Sequence, residues 1–343
     1  MYKRYKVVSL FSGCGGLDLG LTQSDFDIIW SNDIEKSVID TYEHNIGRIV
    51  QKDIKQIHTN DIPNCDVITA GFPCQPFSSA GIRKGIEDDR GNLFKECIRV
   101  IDAKQPKVVI FENVRGILST KNLDGSLLID TIVHLLENLQ PGYDVNYQLL
   151  KAHDYGVPQK RYRVIFVAFR KDLNIQYKFP KPTYTSDDPS LTLGHILDIP
   201  SHVPNQDDVW ELSPQAKRLA PYISEGGSWL DIPYSVLPER MKRIRDDMKR
   251  YRSPVFYRRY SKNEISGTIT AAATPEKCGI LHPTKNRRYS VREIARIQSF
   301  PNDFIFIGQS LPKIYKMIGN AVPPRLAKVI ANSISKTLQQ HHI

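Results

Sequence analysis

The first half of the chain alternates short apolar runs with helix-length amphipathic stretches, and this alternation is the strongest constraint on its fold. Runs rich in β-branched residues predict strands, and the stretches between them predict helices. Because strands that alternate with helices pair in parallel, the pattern predicts an α/β fold, a mostly parallel sheet with helices on both faces. The predicted strands are residues 7–10, 28–31, 67–70, 108–111 and 164–169, and the predicted helices are residues 17–24, 35–45, 93–102 and 127–139.

The alternation ends after Pro180-Lys181-Pro182, and the chain as far as about Pro283 is irregular, basic and interrupted by prolines. At 343 residues the chain exceeds the roughly 250–300 residues at which single cores stop growing, so two domains are expected. Beyond them, Ser290 followed by Glu293 predicts a capping box that opens a helix, and a closing helix begins at Arg325. We predict a catalytic domain over residues 1–180. A smaller irregular, β-rich domain over residues 181–307 includes the motif at 291–301, and the segment 308–343 returns to the first domain.

The composition is basic, since 47 Lys and Arg against 37 Asp and Glu give a formal net charge of +10. Such a balance favours a polyanionic partner such as nucleic acid. Residues 217–259 concentrate the charge and interleave it with aromatic residues, a composition suited to phosphate and base-edge contacts. Taken alone, a charge run more often forms a solvated helix face followed by an edge strand. The basic residues of the run include Lys242, Arg243, Arg245, Lys249, Arg250, Arg252, Arg258 and Arg259.

The five cysteines show no paired Cys-x-x-Cys spacing, which argues against a disulfide framework and against a structural zinc site. We therefore expect no metal and a reducing compartment. The residues after Met1 run directly into a predicted strand, which leaves no room for a signal peptide, and no apolar stretch approaches the about 20 residues that span a bilayer. These features predict a soluble protein of the cytoplasm.

One cysteine stands apart from the others. Cys74 lies between Pro73 and Pro76, just after the predicted strand 67–70, and the two prolines fix the backbone around it. A cysteine is in general more often a buried structural residue, but a thiol held in a stiff loop at a strand end is presented to a pocket, as a nucleophile is. Glu112 follows the strand 108–111 in the same way, so we expect both side chains at one edge of the sheet.

A glycine-rich loop follows the first predicted strand and opens a helix, in the sequence Phe11-Ser12-Gly13-Cys14-Gly15-Gly16-Leu17-Asp18. Such a loop lets a nucleotide-like cofactor approach the backbone. NAD and FAD are weak candidates, because Asp18 stands where the dinucleotide pattern requires its third glycine. Asp33 and Asp53 end the next two apolar runs, where an acid can accept from ribose hydroxyls or from an exocyclic amine. Each acid alone would more often be a cap or a solvated loop residue, but the glycine loop together with both acids at strand ends favours a cofactor site.

Six motifs in this order resemble those of the DNA cytosine-5 methyltransferases found in bacterial restriction–modification systems. They are the glycine loop, Gly-Phe-Pro-Cys-Gln-Pro-Phe-Ser at 71–78, Glu-Asn-Val at 112–114, Gln-Lys-Arg-Tyr-Arg at 159–163, Arg-Glu-Ile-Ala-Arg-Ile-Gln-Ser-Phe-Pro at 292–301 and Gly-Asn-Ala-Val-Pro at 319–323. Only about residues 183–266 carry none of them, and there the family keeps its variable target-recognition domain. The resemblance implies the Rossmann-like fold of the S-adenosylmethionine-dependent methyltransferases.

The resemblance implies that a target cytosine swings out of duplex DNA and that Cys74 attacks carbon 6 of its ring. Glu112, kept protonated by a partly apolar pocket, would donate to ring nitrogen 3, and Arg163 would hold the carbonyl oxygen of the base. Arg161 would brace Glu112 or the loop. The loop 81–91 would close as a lid. The substrate-binding residues would be Pro73, Gln75, Ser78, Asn113 and Val114.

By the same resemblance, Asp33 would bind the ribose of S-adenosylmethionine and Ile34 would pack on its adenine, where many members carry an aromatic residue. Asn320 would close the site from the carboxyl-terminal segment. The methionine side would be lined by Phe11, Gly13, Cys14 and Gly16, and the adenine pocket completed by Asp53, Ile54 and Leu93. We expect a monomer whose partner is duplex DNA, with a cognate restriction endonuclease acting separately.

Three alternatives belong to other classes. A tRNA cytosine-5 methyltransferase would share the active-site motifs, although the long basic insert offers more donors for a duplex groove than an RNA hairpin needs. A DNA-binding module without activity would not keep every catalytic motif. An acyl-transfer thiol enzyme would need a histidine near Cys74, and neither His44 nor His153 has a motif context.

Overall fold

The computed structural model describes residues 4–72, 92–122, 124–247 and 255–343. The chain divides into two compact units. Unit 1 consists of Met1–Lys151, Tyr162–Pro182 and Val322–Ile343, and unit 2 consists of Ala152–Arg161 and Thr183–Ala321. This division differs from the domain boundaries predicted from the sequence, which stay a prediction.

Within the described residues, seven strands of unit 1 form one sheet in the order β3-β2-β1-β4-β5-β7-β6. All neighbouring pairs from β3 to β5 are parallel, and β7 runs antiparallel to both β5 and β6. The predicted mostly parallel α/β sheet is therefore confirmed. The strands are β1 Tyr5–Leu10, β2 Phe26–Asp33, β3 Val50–Gln51, β4 Val67–Ala70, β5 Val108–Val114, β6 Tyr143–Lys151 and β7 Tyr162–Arg170.

The helices of unit 1 include all four that the sequence predicts in the first half of the chain. In unit 2, the predicted capping box begins a helix. Ser290 accepts from the Glu293 backbone N–H while the Glu293 carboxylate accepts from the Ser290 backbone N–H. Gly20 allows the first helix to pack against the last, since a Cβ there would lie 2.4 Å from that of Ala327. The helices are α1 Gly16–Thr22, α2 Lys36–Asn45, α3 Asn92–Lys104, α4 Leu128–Glu137, α5 Leu193–Ile196, α6 Pro214–Leu219, α7 Glu239–Asp246, α8 Val291–Ile297, α9 Leu311–Asn320 and α10 Pro324–Gln340. None of the helices in the described ranges has the length and apolarity that a bilayer span requires.

The main core of unit 1 packs α3 and α4 on one face of the sheet. Its centre is a group of aromatic rings in which Phe72 lies 5.4 Å from both Phe94 and Phe111, centroid to centroid. Phe111 in turn lies 6.4 Å from Phe166 of β7. Offset and edge-on pairs of this kind stabilise a core beyond their buried area. Phe72 is 4% exposed, so the chain is firmly anchored two residues before Cys74.

Unit 2 departs from its expectation. In its described residues the β-rich character is not found, because the chain makes only isolated bridges there, such as that between Arg259 and Leu281, and short helices. Prolines spaced through this region remove backbone donors, which prevents continuous ladders. A smaller core nevertheless joins α6, α7 and Leu281.

Buried arginines satisfy main-chain carbonyls that have no ladder partner in unit 2. Arg259 is 2% exposed and donates to the carbonyls of Ala220, His282 and Lys285. Arg288 and Arg292, also buried, donate to other main-chain carbonyls in the same way. Part of the positive charge predicted to meet nucleic acid is therefore structural.

This arrangement predicts that Arg259→Met lowers the free energy of unfolding by about 3 kcal/mol, because the buried His282 carbonyl loses its Arg259 donor, at about 1–3 kcal/mol, and the carbonyls of Ala220 and Lys285 each lose one of two donors. The measurement is urea denaturation. Arg240→Met, at an exposed position of α7, is the control and should change the unfolding free energy by less than about 0.5 kcal/mol. Equal effects of the two substitutions would contradict the structural role.

Candidate active site

Glu112 and Arg163 form an ion pair at the end of two neighbouring strands. β5 and β7 pair so that Val114 lies opposite Arg163, and Arg163 Nε is 2.5 Å from Glu112 Oε1. Both side chains are 11% exposed. Burial lowers the pKa of Arg163, and the neighbouring Glu112 carboxylate opposes that shift. The partly apolar pocket predicted around Glu112 therefore contains a guanidinium.

The chain that leads to Cys74 leaves the sheet beside this pair. A Cβ placed on Gly71, directly after β4, would lie 3.7 Å from Glu112 Oε2 and 3.9 Å from the carbonyl oxygen of Phe11. The ends of β1, β4 and β5 thus meet at one edge, as parallel strands do. Cys74, Pro73, Gln75, Ser78 and the predicted lid 81–91 lie outside the described residues.

Asn113 and Val114 continue β5 beyond Glu112. Asn113 is buried, and its Oδ1 accepts from the Val114 backbone N–H at 2.9 Å. Val114 is half-buried. Both residues therefore lie on the strand next to Glu112, and their contact with a base stays a prediction.

The glycine loop between β1 and α1 has the backbone that its sequence predicts. Gly13 and Gly15 have φ of +56° and +89°, and Phe11, which carries a side chain, has φ of +54°. Strain of this kind in a residue other than glycine is often found at functional sites. Among the described residues, apart from the chain neighbours of Gly13, no atom lies within 4 Å of the position that a Cβ on Gly13 would take, so this part of the loop borders open space.

Asp33 fastens this loop to the end of β2. Its Oδ2 accepts from the Gly13 backbone N–H and its Oδ1 from that of Glu35, both at 2.8 Å. Burial raises the pKa of Asp33, and these hydrogen bonds oppose the shift. Ile34 is 62% exposed beside it. A buried acceptor next to an exposed apolar side chain can bind a ribose and the face of a base.

The other predicted cofactor residues lie in the same unit. Asp53 caps a short turn, accepting from the Lys55 backbone N–H at 3.0 Å, and Ile54 behind it is buried. Leu93 packs from α3 against the main core. Gly16 is the first residue of α1. Their contact with a cofactor stays a prediction.

None of the four cysteines that the structure describes is a candidate nucleophile. Cys14, Cys97 and Cys278 are buried and Cys65 is half-buried. Burial raises the pKa of Cys14 and of Cys65 to about 12 and also raises those of the other two thiols. A thiol that stays protonated cannot attack. These four thiols are therefore unsuited to nucleophilic attack, and the place of Cys14 in the cofactor site stays a prediction.

Arg161 and Asn320 belong to unit 2. The Arg161 guanidinium is fully buried and donates at 3.0 Å to the carbonyls of Ile269, Gly319 and Ala321. It therefore ties three segments of unit 2 together, and the predicted bracing of Glu112 or the loop stays a prediction. Asn320 is exposed at the end of α9, and its predicted place in the cofactor site also stays a prediction.

Sequence reasoning missed a buried polar cluster behind the glycine loop, which we call the Asp18 cluster: Ser9, Ser12, Asp18 and Tyr42. Asp18 entered the sequence argument only as a departure from the dinucleotide pattern. The signal available was an acid inside the apolar run Leu17-Asp18-Leu19 at the start of a helix.

Among the residues described, no group of three His, Cys, Asp or Glu side chains could hold a metal ion.

Comparison with known proteins assigns the chain to a family. The sequence profile of the C-5 cytosine-specific DNA methylases matches residues 5–336. The chain belongs to this family. Methyltransferase M.NgoFVII of Neisseria gonorrhoeae, a type II enzyme, is 39% identical over 96% of the chain and 86% of its own length. Type II methyltransferase M.NgoPII of the same organism is 35% identical over 99% of the chain and 98% of its own length.

A solved structure shows the same fold. The crystal structure of a DNMT2 mutant of Spodoptera frugiperda is similar to this chain, with a TM-score of 0.65 at 19% sequence identity. The match covers 99% of this chain and the whole of the DNMT2 chain. The methyltransferase is thus a DNA cytosine-5 methyltransferase with the α/β fold of that class. This assignment removes the acyl-transfer and inactive-module alternatives.

Proposed function

We propose that the methyltransferase moves a methyl group from S-adenosylmethionine to carbon 5 of a cytosine swung out of duplex DNA, through a covalent adduct with Cys74. The observation that carries the proposal is the buried Glu112–Arg163 pair with Gly71, the start of the Cys74 loop, beside its carboxylate. The family assignment supplies the reaction class.

The described residues of unit 1 fit S-adenosylmethionine. Open space beside Gly13 admits a ligand against the backbone, the Asp33 carboxylate would accept from ribose hydroxyls, and exposed Ile34 would cover a face of the adenine. Asp53, Ile54 and Leu93 would complete that pocket. When bound, S-adenosylmethionine supplies an electrophilic methyl group. Phe11, Gly13, Cys14 and Gly16 would orient its methionine side.

Cys74 makes carbon 5 of the base reactive. Its thiolate forms a bond to carbon 6, the ring double bond opens, and the electron pair spreads over carbon 5 and the ring nitrogen. Glu112, which must carry a proton for this step, donates it to nitrogen 3 and so neutralises the charge, and the proton returns to Glu112 when the ring is restored. Arg163 holds the carboxyl group and the base carbonyl in place. Once carbon 5 is alkylated, water takes the proton from carbon 5, and the electrons of that bond re-form the double bond to carbon 6. The Cys74 sulfur leaves carbon 6 with the electron pair of the carbon–sulfur bond, and the ring is aromatic again.

The relatives favour duplex DNA over tRNA as the substrate, because those at 35–39% identity are named type II methyltransferases. We infer that the enzyme protects DNA in a bacterial restriction–modification system, acting as a monomer in the cytoplasm beside a separate endonuclease. Ser78 and the segment 81–91 would contact the flipped nucleotide, with Pro73, Gln75, Asn113 and Val114 around the base. Methyl transfer to tRNA but not to duplex DNA would contradict the proposal.

Trapping the adduct tests the mechanism. Duplex oligonucleotides that contain 5-fluorocytosine should form a stable protein conjugate in the presence of the methyl donor, because fluorine at carbon 5 cannot leave as a proton does. Mass spectrometry should place the added mass on the peptide that contains Cys74. Failure to trap a conjugate on a duplex that the enzyme demonstrably methylates would refute the covalent step.

Asp33 offers a separate test of the cofactor site. We expect Asp33→Ala to raise the dissociation constant for S-adenosylmethionine roughly 10- to 100-fold, since hydrogen bonds to a charged group contribute about 1.5–3 kcal/mol. The affinity for duplex DNA should change less than about twofold, because the unit that carries Asp33 keeps its fold. Calorimetry measures the first and fluorescence anisotropy the second. Asp27→Ala on the same strand, where the side chain is exposed and paired with Arg4, is the matched control.

A further inference from the structure

We propose that Asp18 is a positioning residue for the cofactor loop, holding through Ser9, Ser12 and Tyr42 the backbone that S-adenosylmethionine binds without touching the cofactor itself. The inference rests on the proposed function for the identity of the ligand. Its basis is the geometry of the Asp18 cluster, which ties β1, the glycine loop, α1 and α2 together at one carboxylate.

The carboxylate of Asp18 is wholly buried and is bound by hydroxyl groups. Ser9 Oγ donates to Asp18 Oδ1 at 2.8 Å, and Tyr42 Oη donates to Asp18 Oδ2 at 2.6 Å. Ser12, inside the glycine loop, donates to Ser9 Oγ at 2.8 Å. Burial raises the pKa of Asp18 to about 6, and the hydrogen bonds from these hydroxyls oppose that shift. Burying a carboxyl group away from water costs free energy, and a Leu side chain would suit the neighbouring apolar residues. The presence of an acid at this position therefore indicates that its hydrogen bonds have a specific role.

Tyr42 transmits the position of Asp18 to the loop. A Cβ on Gly15 would lie 2.9 Å from Cγ1 of Ile46 and 3.1 and 3.2 Å from Cδ2 and Cε2 of the Tyr42 ring, so the loop backbone rests on these two side chains. Gly15 also has φ of +89°, which side-chain-bearing residues rarely adopt. The hydroxyl bond to Asp18 therefore sets the surface against which Gly15 packs.

The loop is held from two sides. Ser12 and Gly15 rest on the Asp18 cluster, while the Gly13 backbone N–H binds Asp33 and the Ser12 backbone N–H binds the Asn32 carbonyl at 3.0 Å. Loss of the inner support weakens the hold on the strained backbone from Phe11 to Gly15, which then relaxes in the free protein. The cofactor must then reorder it on binding, and this lowers the affinity.

The experiment uses Tyr42→Phe, which keeps the ring under Gly15 and removes only the hydroxyl, together with Asp18→Asn. We expect the dissociation constant for S-adenosylmethionine, measured by calorimetry, to rise about three- to tenfold in each. The Michaelis constant for S-adenosylmethionine should rise equally, while kcat at saturation and the affinity for duplex DNA stay within about twofold. Amide hydrogen exchange of residues 12–16 should be faster in the cofactor-free variants.

Tyr5→Phe is the matched control. Tyr5 is also buried in unit 1, and its hydroxyl donates to the Ile343 carbonyl at 2.9 Å. The Tyr5→Phe variant should lose about as much stability as the Tyr42→Phe variant, with no change in its affinity for S-adenosylmethionine or in amide hydrogen exchange at residues 12–16. Unchanged affinity and exchange in folded Tyr42→Phe and Asp18→Asn, or the same change in Tyr5→Phe, would overturn the inference. If the wild-type protein bound no S-adenosylmethionine, the proposed function would fail instead, and amide exchange would still decide whether the cluster holds the loop.

Discussion

Replacing Cys74 with Ser should abolish turnover, with a fall of at least about 10³-fold, because a serine hydroxyl is a far weaker nucleophile at neutral pH than a thiolate. The four other cysteines cannot substitute for it, since burial raises the pKa of each thiol. The measurement is transfer of a radiolabelled methyl group to duplex DNA under single-turnover conditions. Cofactor affinity should stay within about threefold of the wild-type value.

Cys97→Ser is the control for this substitution. Cys97 is fully buried in α3, within the main core of unit 1, so its replacement should lower stability and leave methyl transfer nearly unchanged. Near-normal methylation by Cys74→Ser would rule out the covalent mechanism. Loss of activity in both variants would point to a folding defect, which thermal melting would reveal.

The fold of unit 1 could largely be predicted because its central strands are continuous apolar runs, as buried parallel strands are. β6 was missed because it lies at the sheet edge, where polar residues such as Asn146 and Gln148 interrupt the apolar pattern. β3 was missed because it has only two residues. Edge and short strands owe their structure to pairing with a neighbour, which local sequence does not encode.

The site could be predicted only in its parts. The strand ends that carry Glu112 and Asp33 follow from local sequence, but the ion pair of Glu112 with Arg163 depends on the register of β5 against β7. The Asp18 cluster joins residues up to 33 positions apart, from Ser9 to Tyr42, and no local pattern links them. Likewise, sequence cannot tell an arginine that meets phosphate from one that binds buried carbonyls, as Arg259 does.

Replacing Glu112 with Gln should lower kcat about 10²- to 10⁴-fold, the range over which a positioned acid or base contributes. The amide keeps the shape of the side chain but cannot neutralise charge at ring nitrogen 3, and it leaves the buried Arg163 guanidinium without its carboxylate. Removing one partner of a buried pair also destabilises a protein, by about 3–5 kcal/mol at the upper end. Single-turnover methyl transfer must therefore be measured alongside urea denaturation.

Asp66→Asn separates the two effects. Asp66 pairs with Lys107 at 2.9 Å beside the opposite, amino-terminal ends of β4 and β5, where no predicted site residue lies. This variant should lose some stability and keep its rate of methyl transfer, whereas Glu112→Gln should lose the rate even at temperatures where it is fully folded. A folded Glu112→Gln enzyme that retains more than about a tenth of the wild-type rate would mean that Glu112 serves only to hold Arg163. Arg163 would then be the candidate for neutralising the charge, because among the described residues its guanidinium lies 2.5 Å from the Glu112 carboxylate.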